Sequence, residues 1–326
     1  MAAEFLITGG QGFFGAWIAR RLLAEGAPFV MTDLRPDDSI LGQVLGAGKA
    51  GELDLRFGDI SDPAFVEGLV AEVCPRRIIH LAGLQVPTCR KDPVLGARVN
   101  ILGTLNIFEA ARRHTGGVGC VVYASSAAVA GPQEDYSMEI PDGAAHVPRT
   151  HYGVFKLCNE GNARVYFQDH GVSSVGLRPG TVYGVGRDFG LTSDPTKAVK
   201  AALVGRPFTI RFGGDNAFQY APDVAATFVL SALENRPAAL TFNMRGQVVA
   251  IAQFVAELED LLPSARGLIQ FGGDPIPVAV DYDDSELRAF LPSMPNTSLR
   301  QGIEETLNGF RRLQQAGTLD LSDLEQ

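Results

Sequence analysis

The stretch Thr8-Gly9-Gly10-Gln11-Gly12-Phe13-Phe14-Gly15 near the start of the chain decides the fold. An apolar run at residues 5–7 precedes it, and the apolar residues of 16–23 recur at helical spacing. A strand, a glycine-rich turn and a helix in this order predict a dinucleotide-binding turn, because glycines let the backbone approach a pyrophosphate and the helix N-terminus attracts the anion. Taken alone, the turn is equally compatible with a glycine loop that binds nothing.

An acidic residue stands where such a fold binds the adenosine ribose. Residues 28–32 are predicted to form the second strand, and Asp33 ends it, roughly 20 residues beyond the glycine turn. A carboxylate there would bind the ribose hydroxyls and repel a 2′-phosphate, so Asp33 favours NAD over NADP, although Arg35 moderates this preference. The alternative is that Asp33 is an ordinary loop or cap residue.

Strands and helices alternate through the first half of the chain. Further strands are predicted at residues 53–57, 77–83, 119–123 and 172–177, and helices at about 100–114 and 150–169. This alternation predicts an α/β protein with a Rossmann-like, doubly wound parallel sheet, whose ligands bind beyond the carboxyl ends of the strands. The residues that fall at that edge are the glycine turn, Asp33, Asp59, Ala82-Gly83 and Ser125-Ser126.

A tyrosine and a lysine that could act together as an acid/base pair lie one helical turn apart. Tyr152 and Lys156 are four residues apart at the start of a predicted helix, so they share one face. Such a pair also arises by chance in many helices. In this chain the tyrosine–lysine pair comes after a cofactor-type glycine turn and after the serines at a strand end, and this order gives the pair more weight than chance.

As an ordered set, these motifs resemble an extended short-chain dehydrogenase/reductase of the NAD-dependent epimerase/dehydratase family. The likeness spans nearly the whole chain. The matching segments are Gly9-x-x-Gly12-x-x-Gly15, Asp33, Asp59-Ile60, His80-Leu81-Ala82-Gly83, Asn100-x-x-Gly103-Thr104-x-Asn106, Tyr123-Ala124-Ser125-Ser126, Tyr152-x-x-x-Lys156, residues 177–184 and residues 297–306.

The resemblance implies a set of catalytic residues. Tyr152 would be the acid/base, Lys156 its partner, and Ser126 the hydroxyl that holds the substrate oxygen, with Ser125 replacing it if the strand end is offset by one. A free tyrosine has a pKa of about 10. A lysine ammonium and the positive nicotinamide ring would lower the pKa of Tyr152 toward the operating pH.

The resemblance also implies binding residues for the cofactor, NAD, and for the substrate. The NAD-binding residues would be Gly9, Gly12, Phe13, Phe14, Gly15, Asp33, Asp59, Ile60, Leu81, Ala82, Gly83, Asn100, Tyr152, Lys156 and Pro179. The substrate-binding residues would be Gln85, Ser125, Ser126, Thr181, Arg187 and Asn216.

Two lobes are implied as well. Residues 1–178 would form an NAD-binding Rossmann domain, with residues 239–262 returning to it. Residues 179–238 and 263–326 would mainly build a smaller C-terminal substrate-binding lobe. Relatives pair the two helices that correspond to about 100–114 and 152–169 into a four-helix bundle, which implies a homodimer; the alternative is that both helices merely cover the sheet.

Two departures from the family bear on the substrate. Members that act on nucleotide-diphosphate sugars usually carry an arginine where Asn216 stands, and a neutral amide cannot replace bidentate guanidinium–phosphate pairing. The usual aromatic-Asn pair is Gly180-Thr181 here. Arg187 or Arg211 would have to compensate from elsewhere, so a nucleotide sugar and a smaller polyol or sugar acid both stay open.

The expected function is NAD-dependent hydride transfer at a secondary alcohol of a sugar or sugar-derived substrate. An epimerase would return the hydride to the other face of the ketone, whereas a dehydrogenase would release the ketone and NADH. Dehydration is disfavoured because Ala127-Ala128 follows Ser126, where family dehydratases carry an acidic pair. A non-catalytic NAD-sensing regulator is a further alternative, but such proteins often lose the tyrosine or the lysine.

Composition argues against several other classes. Lys+Arg 28 against Asp+Glu 37 gives a net charge of −9, without a basic block, so we expect neither nucleic acid nor an anionic membrane as partner. The N-terminus lacks a signal-peptide pattern, and no stretch reaches the roughly 20 apolar residues of a membrane span. The cysteines lack a C-x-x-C motif and the histidines lack metal-ligand spacing. We therefore expect a cytoplasmic protein without a bound metal.

Overall fold

The computed structural model describes residues 3–114, 116–136, 138–234 and 236–325. The strands are β1 (Phe5–Thr8), β2 (Phe29–Asp33), β3 (Leu55–Phe57), β4 (Arg77–His80), β5 (Cys120–Ala124), β6 (Ser174–Arg178), β7 (Thr181–Tyr183), β8 (Phe208–Ile210), β9 (Asp215–Tyr220), β10 (Ala239–Asn243), β11 (Gln247–Ala250) and β12 (Ile269–Phe271). The helices are α1 (Phe13–Glu25), α2 (Ser39–Leu45), α3 (Ala47–Ala50), α4 (Pro63–Val73), α5 (Val86–Lys91), α6 (Pro93–Ala97), α7 (Gly103–Arg113), α8 (His151–His170), α9 (Asp194–Leu203), α10 (Ala221–Leu233), α11 (Ile251–Leu261), α12 (Ser285–Phe290) and α13 (Leu299–Gln315). A π-helical turn, Arg98–Leu102, leads into α7.

The main sheet contains seven parallel strands in the order β10-β6-β5-β4-β1-β2-β3. The chain starts in the middle with β1, adds β2 and β3 on one side, and then crosses to β4, β5, β6 and β10 on the other. The direction of winding reverses between β1 and β4, and ligands of such sheets bind at this switch point. The prediction of a Rossmann-like, doubly wound α/β fold is confirmed.

Alternate side chains of the central strand face two different apolar layers. Phe5 and Ile7 of β1 pack in the cluster that includes α1 and α10, whereas Leu6 packs in the cluster that includes α4 and α7. All three side chains are buried. Coverage of both faces explains why the strands of the main sheet read as apolar runs rather than as alternating patterns.

The starts of two helices prepare the functional site. Thr150 caps α8, because its side chain accepts a hydrogen bond from the Gly153 N–H. This cap fixes the start of α8 immediately before Tyr152 and places Lys156 one turn later on the same face. The N-cap position of α1 is Gly12, which offers no side chain to its first turn.

The remaining strands form two smaller sheets, β11-β9-β7 and β12-β8. Strand β10 joins the main sheet beside β6, and α10 packs on α1, β4 and β5. Helix α11 instead packs against β11, β12 and α13. The division into an NAD-binding domain and a substrate-binding lobe stays a prediction.

The described part of the chain contains no helix both long and apolar enough to cross a membrane. Its four cysteines are free thiols: Cys74 and Cys158 are exposed, whereas Cys89 and Cys120 are buried. Burial raises the pKa of the Cys120 thiol to about 12, so this side chain stays protonated and packs as a small apolar group.

Candidate active site

A cleft of about 480 Å³ lies beyond the carboxyl ends of the central strands, at the switch point. The predicted NAD-binding residues that line it are Gly9, Gly12, Phe13, Phe14, Gly15, Asp33, Asp59, Ile60, Leu81, Ala82, Gly83, Tyr152, Lys156 and Pro179. The predicted substrate-binding residues that line it are Gln85, Ser125, Ser126, Thr181, Arg187 and Asn216. The fold thus brings both predicted sets to one cleft.

Asn100 lies behind the wall of the cleft rather than on it. Its Nδ2 donates to the carbonyls of Leu84 and Gly96, at 3.2 and 3.0 Å, and its Oδ1 accepts from the Leu84 N–H at 3.2 Å. These bonds hold the loop after β4, whose Gly83 and Leu84 line the cleft. A contact between Asn100 and NAD stays a prediction.

The glycine turn is shaped by close packing. Gly9 has a φ of +67°, and a Cβ on it would lie 2.7 Å from the backbone nitrogen of Ala82. A Cβ on Gly15 would overlap the Gly10 carbonyl. Gly12 lines the cleft, and the Gly9 carbonyl is the neighbour that a Cβ there would meet, at 3.2 Å. The absence of side chains therefore lets the backbone of the turn face the cleft directly.

The residues at this end of the cleft fit NAD. No side chain caps α1 and no acid lies in its first turn, so its unpaired N–H groups and positive dipole end are available to a pyrophosphate. At the end of β2, Asp33 accepts from the N–H groups of Gln11 and Leu34, at 3.0 and 2.8 Å, and lines the cleft where a ribose diol would lie. Burial raises the pKa of Asp33.

Ser126, Tyr152 and Lys156 line the same cleft beyond the ends of β4 and β5. The Lys156 Nζ donates to the Ala124 carbonyl at 2.6 Å and lies 5.5 Å from the centre of the Tyr152 ring. The Ser126 Oγ accepts from the Ala128 N–H at 3.1 Å. The start of α8 is thereby tied to the end of β5, which places a hydroxyl, a phenol and an amine together.

Burial dominates the electrostatics of this group. It raises the pKa of Tyr152, although hydrogen bonding with Ser126 and the charge of Arg187 both act to lower it. Burial also lowers the pKa of Lys156 to about 8. In this arrangement Arg187 is the cation that favours the phenolate, and the Lys156 amine is engaged by the Ala124 carbonyl. That Lys156 and the nicotinamide ring lower the pKa of Tyr152 stays a prediction.

Ser125 and Ser126 have different partners. The Ser125 hydroxyl is buried and donates to Glu160 Oε1, and Glu160 is paired with Arg178 through two hydrogen bonds of 2.8 and 2.7 Å. Ser126 instead stands next to Tyr152. This arrangement favours Ser126 over Ser125 as the hydroxyl that would hold the substrate. Sequence reasoning missed Glu160, although an acid one helical turn after Lys156 was a visible signal.

Arg187 and Asn216 present unpaired donors at the cleft. Arg187 donates from Nη2 to Thr192 Oγ1 at 3.1 Å, but its buried Nε has no partner among the described residues. Asn216 is only 2% exposed; its Oδ1 accepts from Thr181 Oγ1 at 3.2 Å, and its Nδ2 has no partner in the described structure. Buried donors without acceptors are unfavourable, so both groups are suited to a bound ligand.

Comparison with known proteins decides the family. The sequence model of the NAD dependent epimerase/dehydratase family matches residues 5–244 of this chain. The chain belongs to the NAD-dependent epimerase/dehydratase family. It is therefore an NAD-dependent enzyme, and the expectations of the family and of NAD as cofactor are confirmed.

Two relatives and one solved structure illustrate the range of the family. UDP-glucose 4-epimerase of Mycolicibacterium smegmatis is 29% identical over 329 residues, with 95% of this chain and 99% of that protein covered. A uronate dehydrogenase of Pseudomonas syringae pv. tomato is 31% identical over 242 residues, with 72% and 75% covered. The crystal structure of Thermus thermophilus UDP-glucose 4-epimerase in complex with NAD has a TM-score of 0.76 at 25% identity, with 94% and 98% covered.

Arg211 does not line the cleft. It is one of the two arginines expected to replace the phosphate-binding arginine that is absent at Asn216. Its Nε and Nη2 donate to Asp194 at 2.9 and 2.7 Å, and its backbone N–H donates to the same carboxylate at 3.0 Å. Asp194 is buried, so removing Arg211 would leave an unpaired charge. Of the two arginines, Arg187 is the one placed at the cleft.

Residues 276–280 close one side of the cleft, and sequence reasoning missed them. Ile276, Val278, Ala279 and Val280 are among the lining residues. The hydroxyl of Tyr282, just beyond them, donates to the Ala127 carbonyl at 3.0 Å and so ties this segment to the loop after Ser126. The sequence assigned this segment to the substrate-binding lobe, but a short apolar run without a periodic pattern did not identify its members as lining residues.

Proposed function

We propose that the protein uses NAD to oxidise a secondary alcohol of a small carbohydrate-type substrate. The observation that carries this proposal is the convergence of Ser126, Tyr152 and Lys156 on the cleft that contains the glycine turn. The carbohydrate class is supported by the relatives, which include a sugar-nucleotide epimerase and a uronate dehydrogenase. The small size is supported by Asn216, which stands where nucleotide-sugar enzymes carry a phosphate-binding arginine.

Each residue has a separate task in this reaction. Ser126 donates a hydrogen bond to the substrate oxygen, and the Tyr152 phenolate removes the proton from that oxygen. Arg187 favours the phenolate by its charge. Lys156, which is fixed by the Ala124 carbonyl, would hold the nicotinamide ribose. A bound NAD would supply the acceptor for the hydride that leaves the alcohol carbon.

A substrate screen tests this proposal. Purified protein with NAD is supplied with neutral sugars, polyols, sugar acids and nucleotide sugars, and NADH is followed by absorbance. We expect NADH with at least one free sugar or sugar acid, and a rate about 10²- to 10⁴-fold lower in the Tyr152→Phe variant. Equal rates in the variant and the wild type would show that Tyr152 is not the base.

A nucleotide-sugar epimerase is the second candidate. It is favoured by the UDP-glucose 4-epimerase of Mycolicibacterium smegmatis, whose similarity covers 95% of this chain. An epimerase of this kind would have to retain its cofactor in the cleft and let the ketone present its other face to the returning hydride. Chromatography of the screened mixtures distinguishes the two, since a new epimer without net NADH establishes the epimerase.

We also propose that the protein is a cytoplasmic homodimer in which α7 and α8 of two copies form a four-helix bundle. Val154, Cys158, Gly161 and Val165 recur at helical spacing on α8, and Val154 and Val165 are 48% and 49% exposed. An exposed apolar stripe of this kind suits burial by a second copy. The free thiols agree with a reducing compartment.

A further inference from the structure

We propose that the substrate carries a carboxylate and that Arg187 binds it, which makes the substrate a sugar acid such as a uronate or an aldonate. The inference rests on the proposed function, because it names the substrate class of the same site. The observation behind it is a guanidinium with an unpaired buried nitrogen in the cleft that Tyr152 also lines.

Arg187 is held in place before any ligand binds. Its Nη2 donates to Thr192 Oγ1 at 3.1 Å, and its guanidinium carbon lies 5.6 Å from the centre of the Phe13 ring. Gly190 has a φ of +106°, and a Cβ on it would overlap Gln85 Oε1 and lie 3.3 Å from Nη2, so the glycine makes room first for Gln85 and also for the guanidinium. A positioned side chain loses little freedom when it binds a ligand, which favours a recognition role.

Arg187 interacts electrostatically with the adjacent Asp188, but no salt bridge within the described residues pairs its charge. Its hydrogen-bond acceptor, Thr192, is neutral. Burial lowers the pKa of Arg187, but an arginine keeps its charge. A cation in such a place is favourable once an anion pairs with it, and a carboxylate matches the fork of guanidinium donors.

The position of Arg187 relative to the reacting group suits a short substrate. Its charge acts on the Tyr152 phenol, and both residues line the same cleft. The unpaired Nδ2 of Asn216 offers a donor to a hydroxyl or ring oxygen of the same molecule. A sugar acid supplies all three partners: a carboxylate for Arg187, an alcohol for Tyr152 and a further oxygen for Asn216.

The cleft is less suited to a diphosphate. Among the described residues, the cations that line it are Lys156 and Arg187, and Lys156 is engaged at the end of β5 beside Tyr152. Arg211 is paired with Asp194 outside the cleft. One guanidinium matches one carboxylate, whereas a diphosphate carries two charged groups.

Binding of matched ligand pairs tests the assignment without turnover. The Tyr152→Phe protein, saturated with NAD, is titrated by calorimetry with a hexuronate and the hexose of the same configuration, and with an aldonate and its alditol. The titrations are repeated with Arg187→Met, with Arg187→Lys, and with Arg206→Met as an exposed control arginine outside the cleft. The fold of each variant is checked by thermal melting and by its Kd for NAD.

We expect the acids to bind at least tenfold more tightly than their neutral partners. Arg187→Met should weaken acid binding about 10- to 100-fold, with neutral sugars unaffected, since it removes charge-assisted hydrogen bonds. Arg187→Lys should retain part of the preference, and Arg206→Met all of it. In the otherwise wild-type enzyme, kcat/KM should fall by a similar factor with acids in Arg187→Met.

Three results would overturn the assignment. If Arg187→Met weakens NAD binding but leaves the acid preference intact, Arg187 serves the cofactor phosphates instead. If the enzyme oxidises or epimerises neutral or nucleotide sugars in preference to acids, the proposed chemistry stands and the carboxylate is wrong. If no sugar of any kind binds, forms NADH or gives an epimer, the proposed function itself is wrong.

Discussion

Tyr152, the proposed base, has surroundings that oppose its ionisation. Burial raises its pKa, and Arg187 together with the Ser126 hydroxyl acts in the other direction. Because the phenolate is the active form, kcat/KM should rise with pH by about tenfold per unit below this pKa. We expect Arg187→Met to move the rise to higher pH, since a charge that favours the phenolate is lost.

A pH–rate profile with NAD and the best sugar from the screen measures this effect. The Arg206→Met variant serves as control and should keep the wild-type profile. A wild-type rate that does not change between about pH 7 and 10 would contradict the assignment of Tyr152 as the titrating base.

Asp33 has a structural role in the glycine turn and a proposed role in binding NAD, and the two can be separated by experiment. Its carboxylate accepts two backbone N–H bonds, which an asparagine oxygen can keep in part. A ribose diol, however, needs the acceptors of a carboxylate. We expect Asp33→Asn to raise the Kd for NAD by about tenfold or more, by calorimetry, with a thermal midpoint close to that of the wild type. Asp37→Asn, at an exposed loop acid nearby, should leave the Kd unchanged; an unaltered Kd in Asp33→Asn would refute the ribose contact.

At the scale of elements, His80 joins β1, β4 and α7. Thr104 Oγ1 donates to the Asn100 carbonyl at 2.7 Å, so it accepts from His80 Nε2 at 3.0 Å. His80 Nδ1 is then the acceptor for the Thr8 hydroxyl, at 2.7 Å. The ring is therefore a neutral imidazole that bridges two hydroxyls, and burial lowers its pKa to about 3.

The lowered pKa of His80 makes stability depend on pH. Below about pH 6.5 the unfolded chain binds a proton at His80 and the folded chain does not, so the free energy of unfolding falls as pH falls toward 3. We expect this histidine to account for a loss of about 2 kcal/mol between pH 7 and pH 5, a loss that His80→Gln should lack. Urea unfolding at both pH values measures it. The exposed control His170→Gln should lose as much stability as the wild type, and an equal loss in His80→Gln would exclude the linkage.

The structural elements that could be predicted from the sequence are those specified by residues next to one another in the chain. The turn from β1 into α1 is specified by adjacent glycines, and the start of α8 by the Thr150 cap and the periodic residues behind it. Residues 42–51, a polar and glycine-rich connection, lie partly in α2 and α3, two short helices whose apolar pattern is too brief to be distinguished from a loop in the sequence.

Contacts between distant parts of the chain could not be predicted. The Glu160–Arg178 pair and its Ser125 partner depend on α8 packing beside the ends of β5 and β6. Arg187 was recognised as a charge near the substrate, but its support by Thr192 and Phe13 is set by the tertiary fold. Local sequence restricts which side chains are available, and the tertiary fold decides which of them remain unpaired at the cleft.

At the scale of the whole molecule, the sheet order explains how one cleft could bind both proposed ligands, NAD and the substrate. The switch between β1 and β4 opens the glycine turn toward one end of the cleft, and the end of β5 brings Ser126 against Tyr152 of α8. Residues 276–280 and the loop that contains Arg187 cover this second part. Because these covering segments lie outside the main sheet, they can vary in substrate recognition while the NAD-binding framework stays the same.

The proposed homodimer would link this framework to a second copy through α8. If α7 and α8 form the proposed four-helix bundle, Val165→Arg places a charge in an apolar interface, and we expect a monomer in sedimentation experiments together with a lower thermal midpoint. The matched control is Leu233→Arg on α10, where the leucine is 41% exposed on a different helix; it should remain dimeric. A wild-type protein that sediments as a monomer would reject the bundle outright. A dimer that persists in Val165→Arg but dissociates in Leu233→Arg would place the interface on α10 instead.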